Sequence, residues 1–207
     1  MERIIDLSYT ITDRMPVYPN DRDVSLEQTC TLEKDNFNAF YLQTGLHAGT
    51  HIDIPYHMLD SNCFISEYPP SRFIGNGVLL DVRGEKVIKY KSQYNAKVSE
   101  NDIVILYTGS ADLLDEPLRY YKDYPVIDDE LTDFFINKRI KLLGMDTPAP
   151  DRAPFNTHKA LLENDIPILE NLTDLSLLIN ADRFDIHAVP LKIEAEASLV
   201  RAYAVLR

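Results

Sequence analysis

The stretch HAGTHIDIPYH, residues 47–57, carries more information about this chain than any other. It holds three of the five histidines of the chain, at positions 47, 51 and 57, and an aspartate at position 53. Histidine and carboxylate side chains together are a usual ligand set for Zn²⁺ and related divalent metals. The stretch therefore predicts a metal site, although on spacing alone a group of structural or surface histidines is an equal alternative.

The spacing of these residues allows a helix or a strand. His47 and His51 would share one face of a helix, but the glycines, β-branched residues and proline between positions 45 and 55 disfavour a helix. Positions 47, 51, 53 and 57 have the same parity, so a strand would point all four side chains to one side. A straight strand would separate His47 from His51 by about 13 Å, the limit for two imidazoles on one ion. We therefore expect a bend at Gly49, since glycine tolerates unusual backbone angles.

His57 follows Pro55 and can approach the site from another direction. The pKa of an unperturbed histidine lies near neutrality, so His57 can act as a general acid or base beside a metal-bound water. A metal would lower the pKa of that water and polarise a substrate carbonyl. We therefore interpret His57 as the candidate catalytic residue.

The composition is that of a globular chain, with 207 residues, 45% hydrophobic and 26% charged. We interpret residues 1–207 as a single domain. A net charge of −12 argues against nucleic acids and anionic membranes as partners. This charge is compatible with a small-molecule substrate, even an anionic one, because a bound cation can dominate the local electric field.

Three features predict a cytoplasmic protein. Two cysteines, Cys30 and Cys63, are too few for a disulfide scaffold, and we expect both to be reduced. Residues 1–6 lack the apolar region of a signal peptide. No apolar run approaches the length of about 18 residues that a membrane-spanning helix needs.

Hydrophobic patterns predict more strand than helix, in a mixed α/β fold. Helices are expected after Asp128 and after Asn156, each acting as an N-cap. The charged segment 114–124 is predicted to be a solvated loop, with an active-site lid as the alternative. The predicted strands cover residues 4–7, 24–30, 39–43, 78–82, 103–107, 140–145, 184–191 and 199–206.

The motif at 47–57 resembles the H-x-G-T-H-[hydrophobic]-D-x-P-x-H signature of the cyclase family, which includes bacterial kynurenine formamidases and isatin hydrolases. Other family elements are similar to IDLS at 5–8, MPVYP at 15–19, LYTG at 106–109, GMDT at 144–147, HKALL at 158–162, IPILE at 166–170, PLKI at 190–193 and VR at 200–201. The resemblance covers nearly the whole chain. It implies a swivelling β/β/α domain that assembles as a homodimer or homotetramer.

The resemblance also implies roles for individual residues. The implied metal ligands are His47, His51 and Asp53 for one ion, with Asp53 bridging to a second ion held by His158 and Glu170. His57 is implied as the acid/base, with metal-activated water as the nucleophile.

Other positions differ from the family or do not match it. Tyr18 stands where several family members carry tryptophan, so it is a candidate to stack on an aryl substrate, or else a turn-packing residue. The stretch EAEASL at 194–199 lacks the glycine-containing turn and the proline that we expect before Arg201. His187 matches nothing in the family, and we interpret it as structural or interfacial.

These observations predict a metal-dependent hydrolase of a non-peptide C–N bond, with an aryl formamide such as N-formylkynurenine as the leading substrate. Alternatives are an isatin-like or other cyclic amide hydrolase, and a non-catalytic metal-binding or ligand-binding member of the fold. Zn²⁺ is the expected metal, with Mn²⁺ or Fe²⁺ as alternatives and one or two ions per subunit.

Overall fold

A computed structural model describes residues 3–207; Met1 and Glu2, which belong to the predicted domain and N-terminal segment, lie outside the described residues. The strands are Arg3–Asp6 (β1), Ser25–Cys30 (β2), Ala39–Gln43 (β3), His51–Asp53 (β4), Ile74–Asp81 (β5), Val87–Ile88 (β6), Ile103–Tyr107 (β7), Val126–Ile127 (β8), Leu142–Met145 (β9), Ile168–Glu170 (β10), Phe184–His187 (β11), Ala197–Leu199 (β12) and Tyr203–Leu206 (β13). The α-helices are Leu32–Asp35 (α1), Tyr94–Lys97 (α2), Pro117–Tyr120 (α3), Asp129–Lys138 (α4) and Asn156–Glu163 (α5).

A nine-stranded mixed sheet in the order β1-β13-β11-β5-β7-β9-β10-β4-β12 forms the centre of the fold. The strands β5, β7, β9 and β10 are parallel neighbours, and the remaining strands pair antiparallel on either side. Strand β7 is buried on both faces: Ile103 and Ile105 enter one hydrophobic core, whereas Val104 and Leu106 enter the other. Burial on both faces explains why this strand is a continuous apolar run.

The predicted helix after Asp128 is confirmed as α4. The Asp128 carboxylate accepts a hydrogen bond of 2.9 Å from the backbone N–H of Leu131, and Leu131, Phe134 and Phe135 pack into the core. This is the N-cap and apolar face that the sequence predicts.

The predicted cap of α5 is wrong. Asn156 is the first helical residue, and Phe155 precedes it in the left-handed region at φ 64°. The cap comes from Asp151, whose Oδ2 accepts from the backbone N–H groups of Thr157 at 2.7 Å and His158 at 3.3 Å. A residue brought close by the preceding turn therefore replaces the local cap.

Three predicted strands need correction. The strand expected at 24–30 and its partner β3 form a separate hairpin that is mostly exposed, instead of a half-buried strand. The strand expected at 184–191 ends at His187, and the one expected at 199–206 is divided into β12 and β13. The charged residues of segment 114–124 are exposed as expected, but its tyrosines are not: Tyr120, Tyr121 and Tyr124 are buried.

The class itself is confirmed: the fold is α/β and strand-rich, with a few helices around one nine-stranded mixed sheet. None of the helices in residues 3–207 has the length and apolar character that crossing a membrane requires. His187 stacks on Tyr203 of the adjacent strand, with ring centroids 4.8 Å apart, which is a structural contact within the sheet.

Candidate metal centre

Strand β4 places two of the predicted ligands on one side of the sheet. His51 and Asp53 are two residues apart, so their side chains point the same way. Glu170 of β10 pairs directly with His51, and paired residues of neighbouring strands share a face. The His51 Nε2 atom consequently lies 3.3 Å from Glu170 Oε2 and 3.6 Å from Asp53 Oδ1.

The expected bend at Gly49 is present. Gly49 has φ 62°, a backbone angle that residues with a side chain rarely adopt, so the bend favours glycine. The bend returns His47 to the site, and its Nδ1 lies 3.0 Å from Asp53 Oδ1. His47 itself lies in a turn, because the strand covers only His51–Asp53.

His57 reaches the same carboxylate from the other end of β4. A short 3₁₀ helix, Pro55–His57, begins directly after Ile54 and turns the chain back. His57 Nε2 lies 3.8 Å from Asp53 Oδ2, and the rings of His47 and His57 are 4.4 Å apart. His57 is therefore close enough to serve either as an acid/base or as a ligand.

His158 comes from the first turn of α5 and lies between Glu170 and Asp151. Its Nε2 lies 3.2 Å from Glu170 Oε1, and its Nδ1 lies 2.6 Å from Asp151 Oδ1. The structure thus brings together the six residues that the sequence proposed as ligands or acid/base, although His158 and Glu170 are more than a hundred residues from the motif.

Two residues that sequence reasoning missed orient these ligands. The Asp151 carboxylate accepts a hydrogen bond from His158 Nδ1, and the other ring nitrogen, Nε2, is therefore free to face Glu170. Asn171 donates to the Gly49 carbonyl at 3.0 Å, and the same carbonyl lies 2.8 Å from His51 Nδ1. The sequence offers only weak signals for them: Asp151 is an acidic residue shortly before a helix, and Asn171 is an amide next to Glu170. Neither position predicts a contact with a metal ligand until the tertiary structure is known.

The cluster fits a divalent cation. His51 Nε2, Asp53 Oδ1 and Glu170 Oε1 are buried, and their close contacts with one another and with the neighbouring histidines lack hydrogen-bond geometry among the described residues. Unsatisfied buried polar atoms are rare because each costs free energy, and here they converge on one point. Within the described chain two groups have ligand atoms within 4.8 Å of one another, His47–Asp53–His57 and His51–Asp53–Glu170, and both include Asp53.

In this cluster, burial and the neighbouring charged groups shift the pKa values of the ligand side chains in opposite directions. Burial opposes the charged form of His47, but the carboxylates of Asp53, Glu196 and Glu170 together outweigh it and raise the pKa of His47 to about 11. For His158, burial is likewise outweighed, and the Asp151 and Glu170 carboxylates raise its pKa to about 10. Burial opposes ionisation of Asp53, yet the surrounding histidines hold its pKa well below the usual range.

Burial dominates at His57 and lowers its pKa, in spite of the nearby Asp53 carboxylate. The ring is consequently neutral at pH 7 and able to accept a proton.

A cavity of about 210 Å³ opens above the cluster. Its walls include Tyr18, Tyr121 and Phe155, and the rings of Tyr18 and Tyr121 meet edge to face at 5.7 Å. Tyr121 belongs to the segment 114–124 and donates to the Pro16 carbonyl at 3.1 Å. Among the described residues, the lining contains acidic Asp21 at one side and neither lysine nor arginine.

Comparisons with known proteins agree with this fold. The Cyclase family model, described as "Putative cyclase", matches residues 5–152. A kynurenine formamidase of Erythrobacter litoralis is 27% identical over 205 residues, covering 97% of this chain and 92% of the relative. A kynurenine formamidase of Bacillus cytotoxicus is 27% identical over 203 residues, covering 96% of this chain and 95% of the relative.

Solved structures share the fold. Isatin hydrolase A from Ralstonia solanacearum superposes with a TM-score of 0.87 at 19% identity, covering 100% of this chain and 92% of that one. A structure described as a potential metal-dependent hydrolase with cyclase activity has a TM-score of 0.78 at 23% identity, covering 100% and 99%. The fold and cluster define a swivelling β/β/α protein with a candidate metal centre. The chain belongs to the cyclase family.

Proposed function

We propose that this protein is a metal-dependent hydrolase of a non-peptide C–N bond, with an aryl formamide such as N-formylkynurenine as its substrate. The observation that carries the proposal is the convergence of unsatisfied buried ligand atoms around Asp53, at the floor of an aromatic cavity, with His57 beside them. The names of the kynurenine formamidase relatives support the choice of substrate.

The residues that would hold metal are His47, His51 and Asp53 for one ion, and Asp53, His158 and Glu170 for a second. A bound divalent ion, Zn²⁺ by the donor set and Mn²⁺ as an alternative, would supply a Lewis acid for the carbonyl and lower the pKa of water.

The chain's own residues supply binding and proton transfer. Tyr18, Tyr121 and Phe155 would hold the aryl ring, since aromatic pairs favour edge-to-face and offset contacts. His57, neutral at pH 7, would accept a proton from the attacking water and donate it to the leaving nitrogen. The water oxygen bonds to the formyl carbon, the C–N bond breaks, and formate and an aryl amine leave.

The test is hydrolysis of N-formylkynurenine by the purified full chain, first after metal removal and then after addition of Zn²⁺ or Mn²⁺. We expect turnover that disappears on stripping and returns with the metal. Turnover that is unaffected by thorough stripping would contradict the metal centre. A metal-loaded protein that does not turn over N-formylkynurenine would contradict the choice of an aryl formamide as the substrate.

Isatin-like cyclic amides are the second candidate, supported by the isatin hydrolase fold neighbour. The chemistry requires the same water, carbonyl and proton donor, but ring opening keeps the amine attached to the product. Parallel assays with isatin under the same metal conditions distinguish the two substrates. A non-catalytic metal-binding protein is the third possibility, and it would bind metal without turning over either substrate.

We also propose that the protein acts in the cytoplasm as a homodimer or homotetramer. The hairpin β2–β3 supports self-association, because Phe37, Phe40 and Tyr41 are between 55% and 61% exposed. Light scattering coupled to size-exclusion chromatography tests the assembly, and a monomer at micromolar concentration would contradict it.

A further inference from the structure

Glu196 lies in the stretch 194–199 that departs from the family pattern, and the backbone fixes it beside the metal centre. Its neighbour Ala197 begins β12 and pairs with Asp53. The Glu196 carbonyl accepts a hydrogen bond of 3.2 Å from the Ile54 N–H, just beyond β4. Two backbone contacts therefore determine where the Glu196 side chain starts.

The carboxylate of Glu196 contacts the outer nitrogen of His47. Glu196 Oε1 lies 3.3 Å from His47 Nε2, while the other ring nitrogen, Nδ1, faces Asp53 at 3.0 Å. A neutral imidazole carries its proton on only one nitrogen. An acceptor at Nε2 holds the proton there and leaves the lone pair of Nδ1 directed into the centre.

The two buried histidines of the cluster have comparable partners. His51 Nδ1 lies 2.8 Å from the Gly49 carbonyl, and His158 Nδ1 lies 2.6 Å from Asp151. Both rings are also enclosed, with side chains 1% and 4% exposed, whereas the His47 side chain is 24% exposed. His47 therefore depends more than the other two on its outer partner for its orientation.

We propose that Glu196 is a positioning residue that fixes the tautomer and ring orientation of His47 for divalent-metal binding. The inference rests on the proposed metal centre, and its test needs no substrate. Removal of such an outer partner typically weakens metal affinity by about 10- to 100-fold.

The experiment compares the metal-stripped full chain with its Glu196→Ala, Glu196→Gln and Glu194→Gln variants. Glu194 is exposed and two residues away, so its variant controls for loss of one local negative charge. Zn²⁺ affinity is measured by competition with a chromophoric chelator, and the Co²⁺-loaded proteins are compared by visible absorption. Thermal unfolding of the stripped proteins verifies that each variant is folded.

We expect Glu196→Ala to bind Zn²⁺ about 10- to 100-fold more weakly and to change the Co²⁺ spectrum. Glu196→Gln retains an acceptor oxygen and should recover most of the affinity, and Glu194→Gln should match the unmodified chain. Glu196→Gln also keeps the side-chain size, so it remains informative if the alanine variant does not fold: a folded glutamine variant with a 100-fold loss would contradict positioning through a hydrogen bond.

Two other outcomes would overturn the proposal. One is a Glu196→Ala protein with unchanged affinity and spectrum, and the other is an equal loss in Glu194→Gln, which would indicate a general charge effect. If the unmodified chain binds no divalent ion, the metal centre fails and the role of Glu196 fails with it. If it binds metal but hydrolyses nothing, the proposed function fails while the Glu196 measurement stands.

Discussion

The metal centre has an inner side and an outer side that differ in exposure. On the inner side, the side chains of His51, His158 and Glu170 are only 1% to 4% exposed. On the outer side, those of His47 and His57 are 24% exposed, although residues of both sides line the cavity. The inner side is thus suited to hold a cation rigidly, and the outer side to meet substrate and exchange protons.

Asp53 connects the two sides, and its loss should have the largest effect. It belongs to both potential ligand groups and is 1% exposed. We expect Asp53→Asn to reduce metal content to that of chelator-treated protein and turnover to background, because an amide replaces an anionic ligand shared by both groups. Elemental analysis and a formamide assay measure the two effects.

The control is His187→Ala, which removes a histidine that stacks on Tyr203 in the sheet, outside the metal centre. It should leave metal content unchanged. An Asp53→Asn protein that keeps its full metal content would show that the two sides do not share this ligand.

His57 separates catalysis from binding on the outer side. We expect His57→Ala to keep the metal and to lose turnover by about 10²- to 10⁴-fold, the usual contribution of a general acid/base. Metal content and turnover are measured on the same preparation. Loss of one ion along with activity would instead identify His57 as a ligand with His47 and Asp53, as their distances also allow.

The two sides also differ in how much the sequence could predict. The outer side and His51 lie within one eleven-residue motif, so parity and the Gly49 bend could be argued from local geometry. Only the family resemblance predicts His158 and Glu170, because the pairing of Glu170 with His51 joins strands far apart in the chain.

The supporting residues were harder still to predict. Asp151 looks like any acidic residue before a helix, and Asn171 like any loop amide, until folding brings them to His158 and Gly49. The charged neighbours of Tyr121 predict a solvated loop, with a lid as the alternative, and they give no sign that its ring lines the cavity. Local pattern thus predicts ligands that are close in sequence, whereas the partners that orient them depend on long-range packing.

The pH dependence of metal binding tests whether both sides release protons. In the metal-free protein, the raised pKa values of about 11 for His47 and about 10 for His158 mean that both are protonated at pH 7. Metal must displace these protons, so affinity should rise with pH between 6.5 and 8.5, by about tenfold per pH unit for each proton released.

Chelator competition at fixed ionic strength measures the slope, and calorimetry in buffers of different ionisation enthalpy counts the protons. A slope near two would mean that both histidines act as ligands, and a slope near one would restrict proton release to one side. A flat profile would contradict the assignment of either histidine.

The smallest expected effect concerns the entrance of the cavity, beyond the outer side. The Asp21 N–H donates to the Tyr18 carbonyl at 3.0 Å, which holds an acidic residue in a lining that has no lysine or arginine among the described residues. A carboxylate there favours a substrate with an ammonium group, such as the amino-acid end of N-formylkynurenine. We expect Asp21→Asn to raise KM for N-formylkynurenine about two- to fivefold, as for an exposed ion pair, and to leave KM for uncharged formanilide unchanged.

Asp23→Asn is the exposed control outside the cavity. An equal change for both substrates would instead mean that Asp21 acts through the turn that holds Tyr18, and the charge of the outer side would then have no part in selecting the substrate.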